Sequence, residues 1–215
     1  DCDEVLDIPI NELKDLLSEL TFLSELPKLN DNKTISIDGN LYGCIDLNRM
    51  TTGEYISIKT LMGSEKTVLN GLPKLLAIIL RPAEEVIDSE TGEKKLKVEK
   101  FSVDNLTWRA EKFKGLKVVD VLHWISFFFD WEKGIIYNYK TLYEEGGDKK
   151  RDPWAPIIPE QFNWLAMVDR LANGDITKHD SIYEQNWISC LNLLAYYKAR
   201  DKYIEYQNKM MKYGK

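Results

Sequence analysis

The stretch 116–143 constrains the fold more than any other. Val121, Trp124, Phe128 and Trp131 recur at helical spacing, and Val118, Leu122, Ile125 and Phe129 form a second stripe beside them. Two adjoining stripes make an apolar arc too wide to be covered from one side, so the rest of the chain must fold around this helix. Gly134 is the point at which the run is expected to divide into two helices. The chain is long enough for such a core: 215 residues, 44% hydrophobic and 30% charged, suit one ordinary domain, or one and a small second. That balance also excludes global disorder.

Composition narrows the setting. A net charge of −6 argues against nucleic-acid binding, which leaves a basic footprint. No apolar run approaches the roughly 18 residues of a membrane span. Neither nucleic acid nor membrane is therefore expected as a partner. Cys2, Cys44 and Cys190 are far apart and odd in number, which favours a reducing compartment over a disulfide framework. With only His123 and His179, a His-rich catalytic or metal site is not expected. The sequence opens at Asp1 rather than Met, which leaves open a start inside a longer gene product or after processing; no signal peptide is visible within it.

Periodicity predicts further helices. Leu13, Leu16, Leu17, Leu20, Leu23 and Leu26 give one over 9–26, stopped by Pro27. Residues 34–45 read as a β-hairpin turning at Asp38-Gly39. Residues 51–63 read as a helix opened by the Thr51/Glu54 capping-box pair, with a strand as the alternative because Ile56 and Ile58 are β-branched. An apolar helix over 67–81 is closed by Arg81-Pro82, with Pro73 expected in its first turn. Residues 84–100 suit a short exposed hairpin or a loop. A helix over 102–112 turns Val103, Leu106 and Ala110 inward. A helix over 160–173 turns Phe162, Leu165, Val168, Leu171 and Ala172 inward and ends at Asn173-Gly174. A long helix over 180–212 has Tyr183, Trp187, Cys190, Leu191 and Leu194 on its inner stripe. Three prolines, Gly146-Gly147 and alternating charge make 144–160 a linker: a surface loop or a domain boundary.

Candidate chemistry is sparse. Asp175, His179 and Asp180 lie close together, but a closed zinc site needs four nitrogen or sulfur ligands at recognisable spacing. Asp175 and Asp180 are read instead as N-cap acceptors. His123, mid-helix beside Trp124, is read as a packing residue. Cys44 and Cys190 fall in apolar patterns and are read as inert, and Cys2 stands among carboxylates that disfavour a thiolate. Lys66-Thr67 follows Gly63 without the glycine pattern of a phosphate loop. Glu84-Glu85 and Glu144-Glu145 are read as pairs in hydrophilic loops, with nothing apolar to shift them. No catalytic residue, metal ligand or cofactor is expected.

The aromatic residues point elsewhere. Six Trp, eleven Tyr and seven Phe make either a rich helical core or, in part, a protein-binding groove. Tyr203, Tyr206, Met210 and Tyr213 share one face of the last helix. Burial against the chain's own core and contact with a partner both account for that stripe. Together with Trp154, expected to dock on a neighbour, these four are the candidate partner-binding residues. Residues 1–31 carry nine acids against two lysines, while 198–215 carry six bases against two acids. Two solvated faces would explain this, and so would head-to-tail complementarity between subunits.

Three segments resemble a known class when taken in order. They are Ile37-Asp38-Gly39-Asn40-Leu41-Tyr42-Gly43 running into 50–58, then Leu72-Pro73-Lys74 through Leu80-Arg81-Pro82, then Trp164 through Lys178. Over roughly residues 34–205 the chain resembles small proteins of the morphogenesis modules of tailed bacteriophages, particularly those of Bacteroidetes-type hosts. The nearest functional class is the tail assembly chaperone. The resemblance implies a short hairpin, helices ending near an Arg-Pro, and then an aromatic helix. It implies no catalytic residue. The expectation is a mainly α protein, a helical domain with a small N-terminal β-hairpin. Residues 1–143 would form the hairpin and helical core, 144–160 the linker or surface loop, and 161–215 a C-terminal helical pair packed on the core. Its function would be non-enzymatic, through contacts with other phage structural proteins and in a possible homo-oligomer, in the host cytoplasm during assembly or in the virion. A structural virion component (neck, tail or capsid-associated subunit) is the alternative, and an enzyme with a dispersed active site the second.

Overall fold

Asp38 and Gly39 both take positive φ, 51° and 77°, which closes a two-residue turn between β1 (Thr34–Ile37) and β2 (Asn40–Cys44). The expected hairpin is therefore present, but a computed structural model, describing residues 33–64, 68–87, 92–143 and 159–213, shows it as half of a larger sheet. Strands β3 (Leu80–Ile87) and β4 (Lys94–Val98) extend it in the antiparallel order β1-β2-β3-β4. Tyr42 faces Pro82, Gly43 faces Arg81, and Glu85 faces Leu96. Gly43 lies at a close approach: a Cβ there would stand 2.6 Å from Leu96 Cδ2, 3.1 Å from Ala83 Cβ and 3.2 Å from Val98 Cγ2, so those side chains would have to shift. The expected helix over 9–26, Glu144-Glu145 and Trp154 lie outside the described residues.

Thr51 caps helix α1 (Thr52–Gly63) through a complete capping box with Glu54, which settles the segment as helix rather than strand. Helix α2 (Val68–Ile79) is the centre of the core: Leu75, Leu76, Ala77, Ile78 and Ile79 are all buried. It departs from expectation twice. Pro73 sits in its interior rather than its first turn, at the position where it forgoes a hydrogen bond to the residue four before it. The helix also stops at Ile79, and Leu80-Arg81-Pro82 opens β3 instead of closing the helix. An apolar run buried throughout shows no change of period where helix gives way to strand.

A 3₁₀ turn (Val103–Asn105) leads into α3 (Leu106–Phe113). Leu106 and Ala110 are buried as expected, but Val103 is exposed, on the wall of a cleft beside Pro73. Helix α4 (Val118–Asn138) runs through Gly134 without breaking. The break falls at Tyr139, before the short α5 (Lys140–Tyr143). Val121, Trp124, Ile125, Phe128 and Ile135 are buried on α4.

Another 3₁₀ turn (Glu160–Phe162) precedes α6 (Asn163–Leu171). Val168, Leu171 and Ala172 point inward, whereas Phe162 and Leu165 are exposed. Asn173 (φ 56°) and Gly174 (φ 76°) terminate the helix, the Gly174 amide donating to the Asp169 carbonyl at 2.9 Å. The helix expected over 180–212 is two: α7 (His179–Glu184) and α8 (Trp187–Tyr213). Gln185 and Asn186 separate them, because their backbone and side chains are used elsewhere. The Gln185 carbonyl accepts from the Thr52 amide at 2.8 Å, and Asn186 Nδ2 donates to the Asn48 carbonyl at 2.7 Å. α8 thus starts against the N-terminal half of the chain, with Trp187 N donating to the Met50 carbonyl at 2.9 Å.

Candidate protein-contact surface

Two buried polar clusters were not legible in the sequence, and both serve the fold. The last carbonyls of α2 lack helical partners. Arg81 Nε donates to Ile78 O at 2.8 Å, Arg109 Nη1 to Ala77 O at 3.0 Å, and Ile45 N to Ile79 O at 2.9 Å. Guanidinium groups at a helix C-terminus also complement its partial negative charge. Glu54 balances Arg81 in a buried ion pair, and Glu99 Oε1 meets Arg109 at 3.3 Å. Burial, opposed by Glu99, pulls the Arg109 pKa below the usual range. The signal available in the sequence was the Arg-Pro after a long apolar run; Arg109 gave none.

The second cluster joins α1, α4 and α8. The Tyr55 hydroxyl donates to Glu132 Oε1 at 3.0 Å, and Lys59 Nζ lies 3.2 Å from the same oxygen. Burial first, then the Glu132 charge, pushes the Tyr55 phenol far above its ordinary range. Tyr55 is ringed by Trp131, Trp164 and Trp187. Trp164 and Trp187 continue outward as the floor of a groove of about 540 Å³, whose rim carries Arg170, Lys198 and Asp201.

Of the residues considered for chemistry, Cys2, Lys66-Thr67 and Glu144-Glu145 lie outside the described residues. Asp175 Oδ1 accepts from the Thr177 amide at 3.1 Å and caps a 3₁₀ turn (Ile176–Lys178), as expected. Its hydrogen bonds to Thr177 and Lys178 lower its pKa to about 2. Asp180 is not a cap; it is an exposed acid in the first turn of α7. His179 Nε2 is 3.4 Å from Asp169 Oδ1, outside hydrogen-bond geometry. Among the described residues no three His, Cys, Asp or Glu side chains cluster as metal ligands would. Burial pushes the Cys44 thiol up to about 12, Arg81 opposing and Asp46 adding to the effect. Cys190 is buried and also raised, its sulfur 3.2 Å from the Thr52 hydroxyl. Glu84 and Glu85 lie on strand β3 rather than in a loop; Glu84 faces and pairs with Lys97 at 3.0 Å, and Glu85 pairs diagonally with Lys94 at 3.5 Å.

What remains is the end of α8. Its root is anchored: Arg170 pairs with Asp201 at 2.5 Å, and Lys198 Nζ donates to the Thr141 carbonyl. From Ala199 to Lys212 every residue is exposed, a helical arm of about 21 Å at 1.5 Å per residue. Tyr203 and Tyr206 are each 60% exposed and Met210 56%, so three of the candidate residues face solvent; the Tyr213 side chain lies outside the description. Ile204 (46%) and Met211 (66%), a heptad apart, widen the apolar face and were missed. Charge sits on another side: Lys202 and Lys209, the latter 2.7 Å from Glu205, flank the Tyr203–Met210 stripe. Such an arrangement, an apolar stripe with charged residues beside it on an exposed helix, is how one helix presents a seam to another.

No protein-family model, curated protein or solved structure matches the chain. No helix among the described residues is long and apolar enough to cross a membrane.

Proposed function

We propose that this chain is a non-enzymatic protein of bacteriophage tail or virion assembly that acts through protein–protein contacts, in the manner of a tail assembly chaperone. The phage attribution rests on the resemblance of the three segments quoted above. The mode of action rests on one observation: the arm of α8 holds Tyr203, Tyr206 and Met210 in solvent on a helix whose root is pinned to the body. Large side chains on an exposed stripe cost solvation and add little to a helix by themselves, so a contact is what they serve. The chain then works in the host cytoplasm during assembly, or within the virion as a neck, tail or capsid-associated subunit. Following the protein through infection separates the two. A chaperone is absent from purified particles, and a subunit remains with them. Failure of the wild-type chain to associate with any phage structural protein, in lysate or particle, would contradict the reading.

A further inference from the structure

The arm carries a seam whose complement is written in the same chain. Tyr196, Ala199, Tyr203, Tyr206 and Met210 follow the alternating three-and-four spacing of the a and d positions of a heptad. Lys202 and Lys209 are then both g positions. In residues 13–23, outside the described part, Leu13, Leu16, Leu20 and Leu23 follow the same spacing, and there the g positions are Glu12 and Glu19. The two acids are a heptad apart, as are the two lysines.

We propose, on the basis of the contact reading above, that the partner of the arm is the acidic leucine segment around residues 12–26 of a second copy of this chain, packed antiparallel on the arm. Flanking charges set partner and orientation in paired helices, and antiparallel pairing brings g positions against g positions. One register satisfies both charge pairs together with three of the seam positions. It sets Glu12 against Lys209 and Glu19 against Lys202, with Leu16 beside Tyr203, Leu13 beside Tyr206, and Leu20 over the small Ala199. Two arms paired antiparallel would instead oppose Lys202 and Lys209 with the same lysines. The exposed pair of Lys209 with Glu205 is no obstacle, since solvent already screens it. Each copy carries both halves of the contact, so two copies that exchange segments reciprocally close as a dimer, and otherwise the contact propagates from subunit to subunit.

The test is light scattering of the full chain after size exclusion, at about 50 μM and low salt. Wild type is expected at multiples of the monomer mass, and E12K/E19K and K202E/K209E each as monomers with unchanged circular dichroism. An equimolar mixture of the two variants restores the large species, because each now complements the other. A monomeric wild type, or reversed variants that assemble as wild type does, overturns this pairing. Neither result touches the broader contact reading, whose own test is association with phage structural proteins.

Discussion

The Tyr55 ring lies flat against the Trp187 indole, centroids 4.3 Å apart and planes within 15°. One residue belongs to the first helix after the hairpin and the other opens the last helix, so this stack fixes the root from which the arm projects. Trp187 is among the largest fully buried side chains. Trp187→Ala should therefore destabilise the protein by about 3–5 kcal/mol, the range for a large buried aromatic. Urea unfolding measures it, and a loss below about 1 kcal/mol would place the stack outside the core.

Glu54 and Arg81 form a pair in which both side chains are nearly fully buried. Breaking such a pair from one side leaves an uncompensated charge, and Glu54→Gln should cost about 3–5 kcal/mol. Replacing both, as in Glu54→Gln with Arg81→Met, should cost clearly less than the sum of the single changes. Additive losses in a double-mutant cycle would show that the two groups do not interact.

A thiol whose pKa is raised to about 12 by burial holds only about one part in ten thousand as thiolate at pH 8. Cys44 in the folded protein should resist alkylation at that pH and react readily in denaturant. Peptide mapping after timed iodoacetamide treatment reads this directly; fast labelling of Cys44 in the native state is the contrary result.

Asp175 titrates lower in the folded chain than a free aspartate does, near 2 against 3.8. Its cap therefore contributes stability that is complete above about pH 4 and is lost as the pH falls through 2. The difference in melting temperature between wild type and Asp175→Ala should be constant from pH 5 to 7 and shrink between pH 4 and 2. A difference that grows on acidification would reverse the sign and the assignment.

Local chemistry was legible wherever neighbours in sequence decide the outcome. The Asp38-Gly39 turn, the Thr51/Glu54 box, the Asn173-Gly174 stop and the Asp175 cap all depend on residues within a few positions of one another. The exposed hairpin read as one option over 84–100 is β3 with β4, a local pairing. Its union with the first hairpin was not legible, because β3 begins inside an apolar run and its pairing with β2 is long-range. The break at Gln185-Asn186 was hidden for the same reason, because its cause is Thr52 and Asn48, well over a hundred residues away in the chain. Phe162, Leu165 and Val103 have the period of inward residues but are exposed. The stripe of Tyr203, Tyr206 and Met210 was visible as a pattern; only the structure shows that it is exposed.

The central claim is that this stripe is a contact surface and not core. Thermal unfolding of Tyr203→Asp/Tyr206→Asp tests it most directly, in dilute protein at high salt, where the proposed subunit contact is dissociated. The account predicts a midpoint within about 1 °C of wild type. A fall of about 4 °C or more, equivalent to roughly 1 kcal/mol or more for a chain of this size, would show that the arm belongs to the core and would contradict it.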